Sequence, residues 1–476
     1  MSEKTFTSHT VRTILASETG ARLDSNVHTG GGADDTAALQ AALDLAKGCG
    51  GVHLIMDGAA LITGLCLYSN TTIECLNADC GFFLADGANT SLLHNAHLDY
   101  ETIHERNISI IGGTYNHNCR GQLHHVPVSS GIPFDVPEDS AVPTDEGEDI
   151  RWVIGFEFYG VEGLTIRDVT IQDQRTFAML IANWRHVTVE NVRIELPNHR
   201  DCENQDGIHF WGPGQFLTMR GITGRSGDDF IALAPDERDK VSSITDVLID
   251  GVTLDEADQG IRLLSRGAGR LDRVTIRNVT GTYKSFGFFI NPWFPDVTAG
   301  AYGSIVIENV DLRPMTPNYT YRDAFLFQVG GHIESLTLRN IVSHSPVDDR
   351  TLFELSTPFY DLACDKAYTR IGSLLIDGLH LYNHAGERPL IRLECEIGQF
   401  TLRSVDAYSA DGCPAAALIR AGKGCDVKRL ALVNVQADAM ACVLDAAEGR
   451  IGVLCRQGVY GAGPLLREGG CTIDRM

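Results

Sequence analysis

Positive charge is scarce in this 476-residue chain: 39 Lys and Arg stand against 62 Asp and Glu, a formal net charge of −23. A nucleic-acid partner needs a basic face to meet its phosphates, so that class is disfavoured. Long apolar runs are also missing. No stretch approaches the ~18 apolar residues of a membrane span, and none follows Met1-Ser-Glu-Lys-Thr5 as it would in a secretory leader. The 13 cysteines are odd in number and scattered from Cys49 to Cys471 without paired spacing, which reads as reduced, buried thiols and a cytoplasmic location. Proline is sparse, at 16 residues, beside 49 glycines, a balance that suits tight turns between short strands better than a helical bundle. With 43% hydrophobic and 21% charged residues the chain is expected to fold rather than stay disordered.

What is present is a repeat. A few alternating apolar positions are followed by Asp, Asn or Gly and then by another apolar residue, as in Leu164-Thr-Ile-Arg-Asp168-Val and Val187-Thr-Val-Glu-Asn191-Val. Later copies turn at Gly221, Gly251, Asn278, Asn309, Asn340, Gly378, Ser404 and Asn434, with an earlier copy at Gly112. From Asp168 to Asn434 the turn residues are 23, 30, 30, 27, 31, 31, 38, 26 and 30 apart. Alternation indicates strand, and the turn residue marks a corner that tolerates left-handed backbone. A second apolar strand lies between copies, for example Phe230–Leu233, Phe286–Ile290 and Phe325–Gln328. Two or three strands per turn of ~25–30 residues cannot bury a core alone and must stack on the next copy. The expected fold is all-β, a right-handed parallel β-helix with a short N-terminal capping helix over Asp34–Ala46, where an Asp stands at the N-cap.

A single domain over 1–476 is expected: a cap region at 28–60, an insertion at 114–150, rungs over 151–440 and a C-terminal cap at 441–476. The insertion carries His117, Cys119, His124, His125 and an acidic run from Asp135 to Asp149. Its spacing fits no standard zinc pattern, so no metal is expected, and a loop of this length would suit the wall of a cleft or an interface.

Carboxylates concentrate on consecutive rungs. Asn204-Gln-Asp206-Gly-Ile-His209 enters one strand, Asp228-Asp229 opens the next, and Gly260-Ile-Arg262 follows. Asp206 and Asp228 are 22 residues apart, close to one rung, which would place their backbones ~4.8 Å apart. Carboxylates held so closely cannot all ionise cheaply, which leaves an acid beside a base, as glycoside hydrolysis requires. Adjacent strand residues face opposite sides, so presenting both Asp228 and Asp229 calls for a bend at Gly227. Asp168, Asp250 and Asp377 are expected to serve the corners instead.

These motifs resemble the Asn-Thr-Asp, Gly-Asp-Asp and Arg-Ile-Lys motifs of glycoside hydrolase family 28, the polygalacturonases and rhamnogalacturonases. The Gly30–Ala46 segment and Ser69–Glu74 look like the N-terminal region of the pectin-lyase-like superfamily, so the likeness covers roughly residues 28–310. It implies an inverting hydrolase without cofactor, with Asp228 as general acid and Asp206 and Asp229 activating water. Arg262 would bind the sugar beside the cut, and Asn204, His209, Gln259, Trp211 and Trp293 complete the candidate substrate contacts. The family's Gly-His-Gly is replaced by Asp258-Gln259-Gly260 and its motif Lys by Leu264. The partner is therefore an oligosaccharide or polysaccharide, pectin-like or related; the acidic balance favours a short or neutral one, and a homo-oligomer is compatible with the sequence. Arg200, Arg225 and Arg266 are candidates for a sugar carboxylate, with ordinary solvated charge as the alternative. Two other functions stay open: a lyase or epimerase on the same fold, and a non-catalytic glycan-binding β-helix.

Overall fold

The repeat's alternating stretches form strands that stack in register. A computed structural model of the chain describes residues 10–127, 150–198, 204–292, 300–317, 323–344, 350–356, 369–384, 386–408 and 415–476. Thirty of the described strands join one parallel sheet. The fold is an all-β right-handed parallel β-helix, with 62% of the described residues in strands and 4% in helices, so helices only cover and connect.

Two compact units make up the chain, residues 1–209 with 216–222, and residues 210–215 with 223–476. Inside the first, an aliphatic column runs Ile14, Leu54, Ile73, Ile110, Ile166, Val189, each paired with the next across parallel strands. Inside the second, the column is Ile249, Ile276, Ile307, Leu338, Ile376, Leu402, Leu432. A second wall stacks Phe288 on Phe327 and Phe327 on Phe353, with ring centroids 4.7 and 5.1 Å apart and planes within a few degrees of parallel. Alternation explains these columns: apart from the half-buried Ile14, inward residues are buried, each worth about 1.5–3 kcal/mol, while their neighbours face out.

The corners behave as the composition predicts. Asp168, Asn191, Asn278, Asn309, Asn340, Ser404 and Asn434 all have φ between 50° and 60°. Their side chains form a ladder, in which Asn340 Nδ2 donates to Asn309 Oδ1 at 2.9 Å and Asn309 Nδ2 to Asn278 Oδ1 at 3.0 Å. At Gly378 an added Cβ would lie 2.9 Å from Asn340 Oδ1, so glycine supplies both the φ of 80° and the room. Asp250 and Asp377 also serve the corners, accepting from Asn278 and Arg403 respectively.

The capping helix is Thr36–Leu43, which turns Leu39, Ala42 and Leu43 toward the first strands. Asp35 stands at its N-cap, but its carboxylate accepts instead from the Arg22 and Leu23 amides, and Asp34 takes the Thr36 N–H at 2.9 Å. Contrary to the expected start of the insertion at 114, Thr114–Asn116 still pairs in a rung with Gly81–Phe83 and Thr170–Gln172, and an antiparallel pair, His125–Pro127 with Ile150–Trp152, flanks the insertion's acidic run. That run lies outside the described residues. At the C-terminus the strands Arg450–Gly461 and Thr472–Arg475 continue the rungs.

Candidate active site

In the first unit, Asp206 is held on every side. Its backbone carbonyl accepts from Ala178 N at 3.0 Å and from Gln174 Nε2 at 3.2 Å, and Gln205 Nε2 donates to Gln174 O at 2.9 Å. Its carboxylate Oδ2 lies 2.9 Å from His209 Nδ1. Both side chains are about 5% exposed, and a charge-bearing pair withdrawn from water this far needs such a partner. The His209 ring lies flat on Phe177, with centroids 4.7 Å apart and planes 11° apart, and Phe177 meets Trp152 edge-on at 4.8 Å. His209 is therefore not a surface histidine; it joins Asp206 to an aromatic wall. Asn204, two residues upstream, sits at a left-handed corner with φ 55°.

In the second unit, the chain bends at Gly227 and Asp228 before the strand Asp229–Ala234 begins. Asp228's carbonyl accepts from Ser226 Oγ at 2.8 Å and from Gln259 N at 3.2 Å. Its carboxylate Oδ1 accepts from Gln259 Nε2 at 2.6 Å. Asp229 lies opposite Gln259 in the parallel register and is 7% exposed. Its Oδ2 is 3.9 Å from Arg262 Nη1, and the Arg262 guanidinium sits 4.1 Å above the Phe289 ring, which occupies the same column one rung on. Asp258, fully buried, accepts from Ser285 Oγ at 3.0 Å. Two consecutive aspartates, one bound by an amide and one facing a guanidinium stacked on an aromatic ring, can divide the work of acid and base.

Other candidates fall elsewhere. Trp211 is 2% exposed with its indole Nε1 donating to Glu237 at 2.8 Å, so its ring packs in the rung rather than lying open to a sugar. Arg266 is wholly buried and donates to Glu237 O, which makes it neither a solvated charge nor an open carboxylate receptor. Arg225 is engaged by Asp255 and Glu256 at 2.8 and 2.7 Å. Trp293 and Arg200 lie outside the described residues. His117 is buried, with its ring nitrogens meeting Thr90 O and Arg175 N, and burial pushes its pKa down to about 4. Among the described residues no group of three His, Cys, Asp or Glu side chains is placed to hold a metal.

Phe177, Trp152, Gln174 and Ser226 escaped the sequence reading. A signal for the first existed: Ala178, its neighbour, lies 28 residues before Asp206, one rung away. Two buried glutamates escaped as well. Glu157, bonded by Ser91, and Glu354, whose carboxylate is 3.2 Å from Arg392, are each raised to about 7 by burial.

No protein-family model matches the chain. Among curated proteins, it is 27% identical over 164 residues to a polygalacturonase of Gossypium barbadense and 23% identical over 167 residues to one of Medicago sativa. Each alignment covers 34% of this chain, and the chain spans only 37% and 36% of those relatives' lengths. Among solved structures, the Yersinia enterocolitica family 28 exopolygalacturonase superposes with a TM-score of 0.58 at 15% identity, covering 88% of this chain and 78% of that one. The tailspike protein of E. coli bacteriophage HK620 gives 0.53 at 11% identity, covering 85% and 72%. The fold is polygalacturonase-like, a parallel β-helix.

Proposed function

We propose that the chain is a glycoside hydrolase that cleaves a pectin-like glycan by direct displacement with inversion. The observation that carries this reading is the second unit's cross-rung group. Asp228 is clamped by Gln259 and Ser226, and Asp229 is 3.9 Å from an Arg262 stacked on Phe289. The similarity to curated polygalacturonases supports the substrate class.

In this reading Asp228 donates its proton to the glycosidic oxygen as the bond to the anomeric carbon breaks. Water adds to that carbon from the opposite face and gives its proton to Asp229. After the products leave, solvent returns the proton to Asp228 and both carboxyls are reset. Arg262 steadies the sugar with its guanidinium fork.

The test is to incubate the protein, and separately Asp228→Asn, with uronic and neutral oligosaccharides. Reducing-end release and ultraviolet absorbance are followed together. New reducing ends without absorbance, lost in the variant, are expected. Absorbance from an unsaturated sugar, or full activity in the variant, would sink the assignment.

A further inference from the structure

Gln259 does more to Asp228 than a substrate contact would. Its backbone N–H and its side-chain Nε2 both donate to Asp228, to the carbonyl at 3.2 Å and to the carboxylate at 2.6 Å. Gln259 is 3% exposed, and its Oε1 is enclosed without a hydrogen-bond partner among the described residues. A buried carbonyl oxygen left this way is uncommon and calls for a reason.

The amide's two ends are nearly the same size, so a half-turn about its terminal bond exchanges them within the same space. With Nε2 forward, the amide donates and suits an ionised Asp228. With Oε1 forward, it accepts, which is attractive only when Asp228 carries a proton. A general acid passes through both states in every turnover. The charged side chains around it lack this freedom. Asp229 when ionised accepts only, Arg262 donates only, and Arg225 is engaged by Asp255 and Glu256. Asp258, next to Gln259 in the chain, already receives the Ser285 hydroxyl.

We infer that Gln259 is a positioning residue for Asp228 that serves both of its protonation states, turning its amide so that the carboxyl stays in place before and after giving up its proton. The inference rests on the acid role proposed for Asp228. Because the amide never titrates, it holds the acid without adding a charge of its own.

Two variants test it by hydrolysis kinetics across pH. Gln259→Leu removes donor and acceptor together. It is expected to lower kcat at least about tenfold with KM within about threefold. Gln259→Glu keeps the shape but meets an ionised Asp228 with a like charge. Its alkaline limb of kcat/KM is expected to move up by about one pH unit or more, with part of kcat restored on the acid side. Thermal melting checks folding, and the near-isosteric Gln259→Glu carries the test if Gln259→Leu does not fold. A loss confined to KM, or pH limbs unmoved in both variants, overturns the inference. Activity that dies in Asp228→Asn yet ignores both Gln259 variants overturns this inference alone. No hydrolysis by the unaltered protein, or full hydrolysis by Asp228→Asn, overturns the acid role beneath it.

Discussion

Asp206 and Asp228 belong to different units and are held by different chemistry. The first meets an imidazole at 2.9 Å, the second an amide at 2.6 Å. An imidazole can take a proton and become a cation, so Asp206 and His209 form a pair whose total charge can change. An amide cannot, so whatever charge change occurs between Asp228 and Gln259 belongs to the aspartate. The amide's hydrogen bond favours the ionised form of Asp228 while adding no charge of its own.

The contrast is open to attack by substitution. Asp228→Asn should cost most, lowering kcat by about a thousandfold, or roughly 4 kcal/mol, in steady-state hydrolysis. Next comes Glu157, a carboxyl of the first unit bonded by Ser91 rather than by an imidazole or an amide. Its pKa lies above its ordinary 4.5, at about 7, because burial penalises the charge. Below pH 4.5 folded and unfolded chains both keep the proton and nothing is lost. Between 4.5 and about 7 only the unfolded chain ionises, so stability falls as pH rises, and above 7 the loss is complete at roughly 3 kcal/mol. Glu157→Gln should therefore leave the denaturation midpoint unchanged at pH 4 and raise it at pH 8. An equal gain at both would show that burial of charge is not the cause. His209→Gln turns the first pair into the second kind. Loss of the imidazole stacked on Phe177 is expected to cost about 1 kcal/mol of stability, and an unchanged denaturation midpoint would remove the distinction between the pairs. An equally small effect belongs to a site outside both. Asn309→Ala removes two rungs of the corner ladder at a φ of 58° and should cost about 1 kcal/mol of stability with kcat untouched.

The rungs were legible in the sequence because period-two alternation and a left-handed corner each leave a compositional mark. Asp168, Asn278 and Asn434 could be placed without coordinates, as could the bend that frees Asp228 from its strand. The partners were harder. Gln259 stands 31 residues beyond Asp228, and rung spacing tells that they are neighbours but not that the side chain turns onto the carboxylate. The same limit applies to Trp211, which alternation brings to a strand but cannot tell from a packed residue until Glu237 is seen to take its N–H. His209 was missed as a partner of Asp206 although it lies three residues away, because a strand ordinarily separates i and i+3 onto opposite faces. Only the turn before Ile208 lets them meet. Charge gave no help with Glu157 or Glu354, since a glutamate's burial depends on what covers it.

The column of left-handed corners has a consequence for how such a chain can change. Thirty-eight residues separate Asn340 from Gly378 and 26 separate Gly378 from Ser404, yet all three keep left-handed backbone on strands that pair in register. Each corner resets the phase of the coil. Residues added between corners need not be passed on as an offset to the next turn. The rungs can therefore stay fixed while the segments between corners change length one at a time, without the stack registering the change.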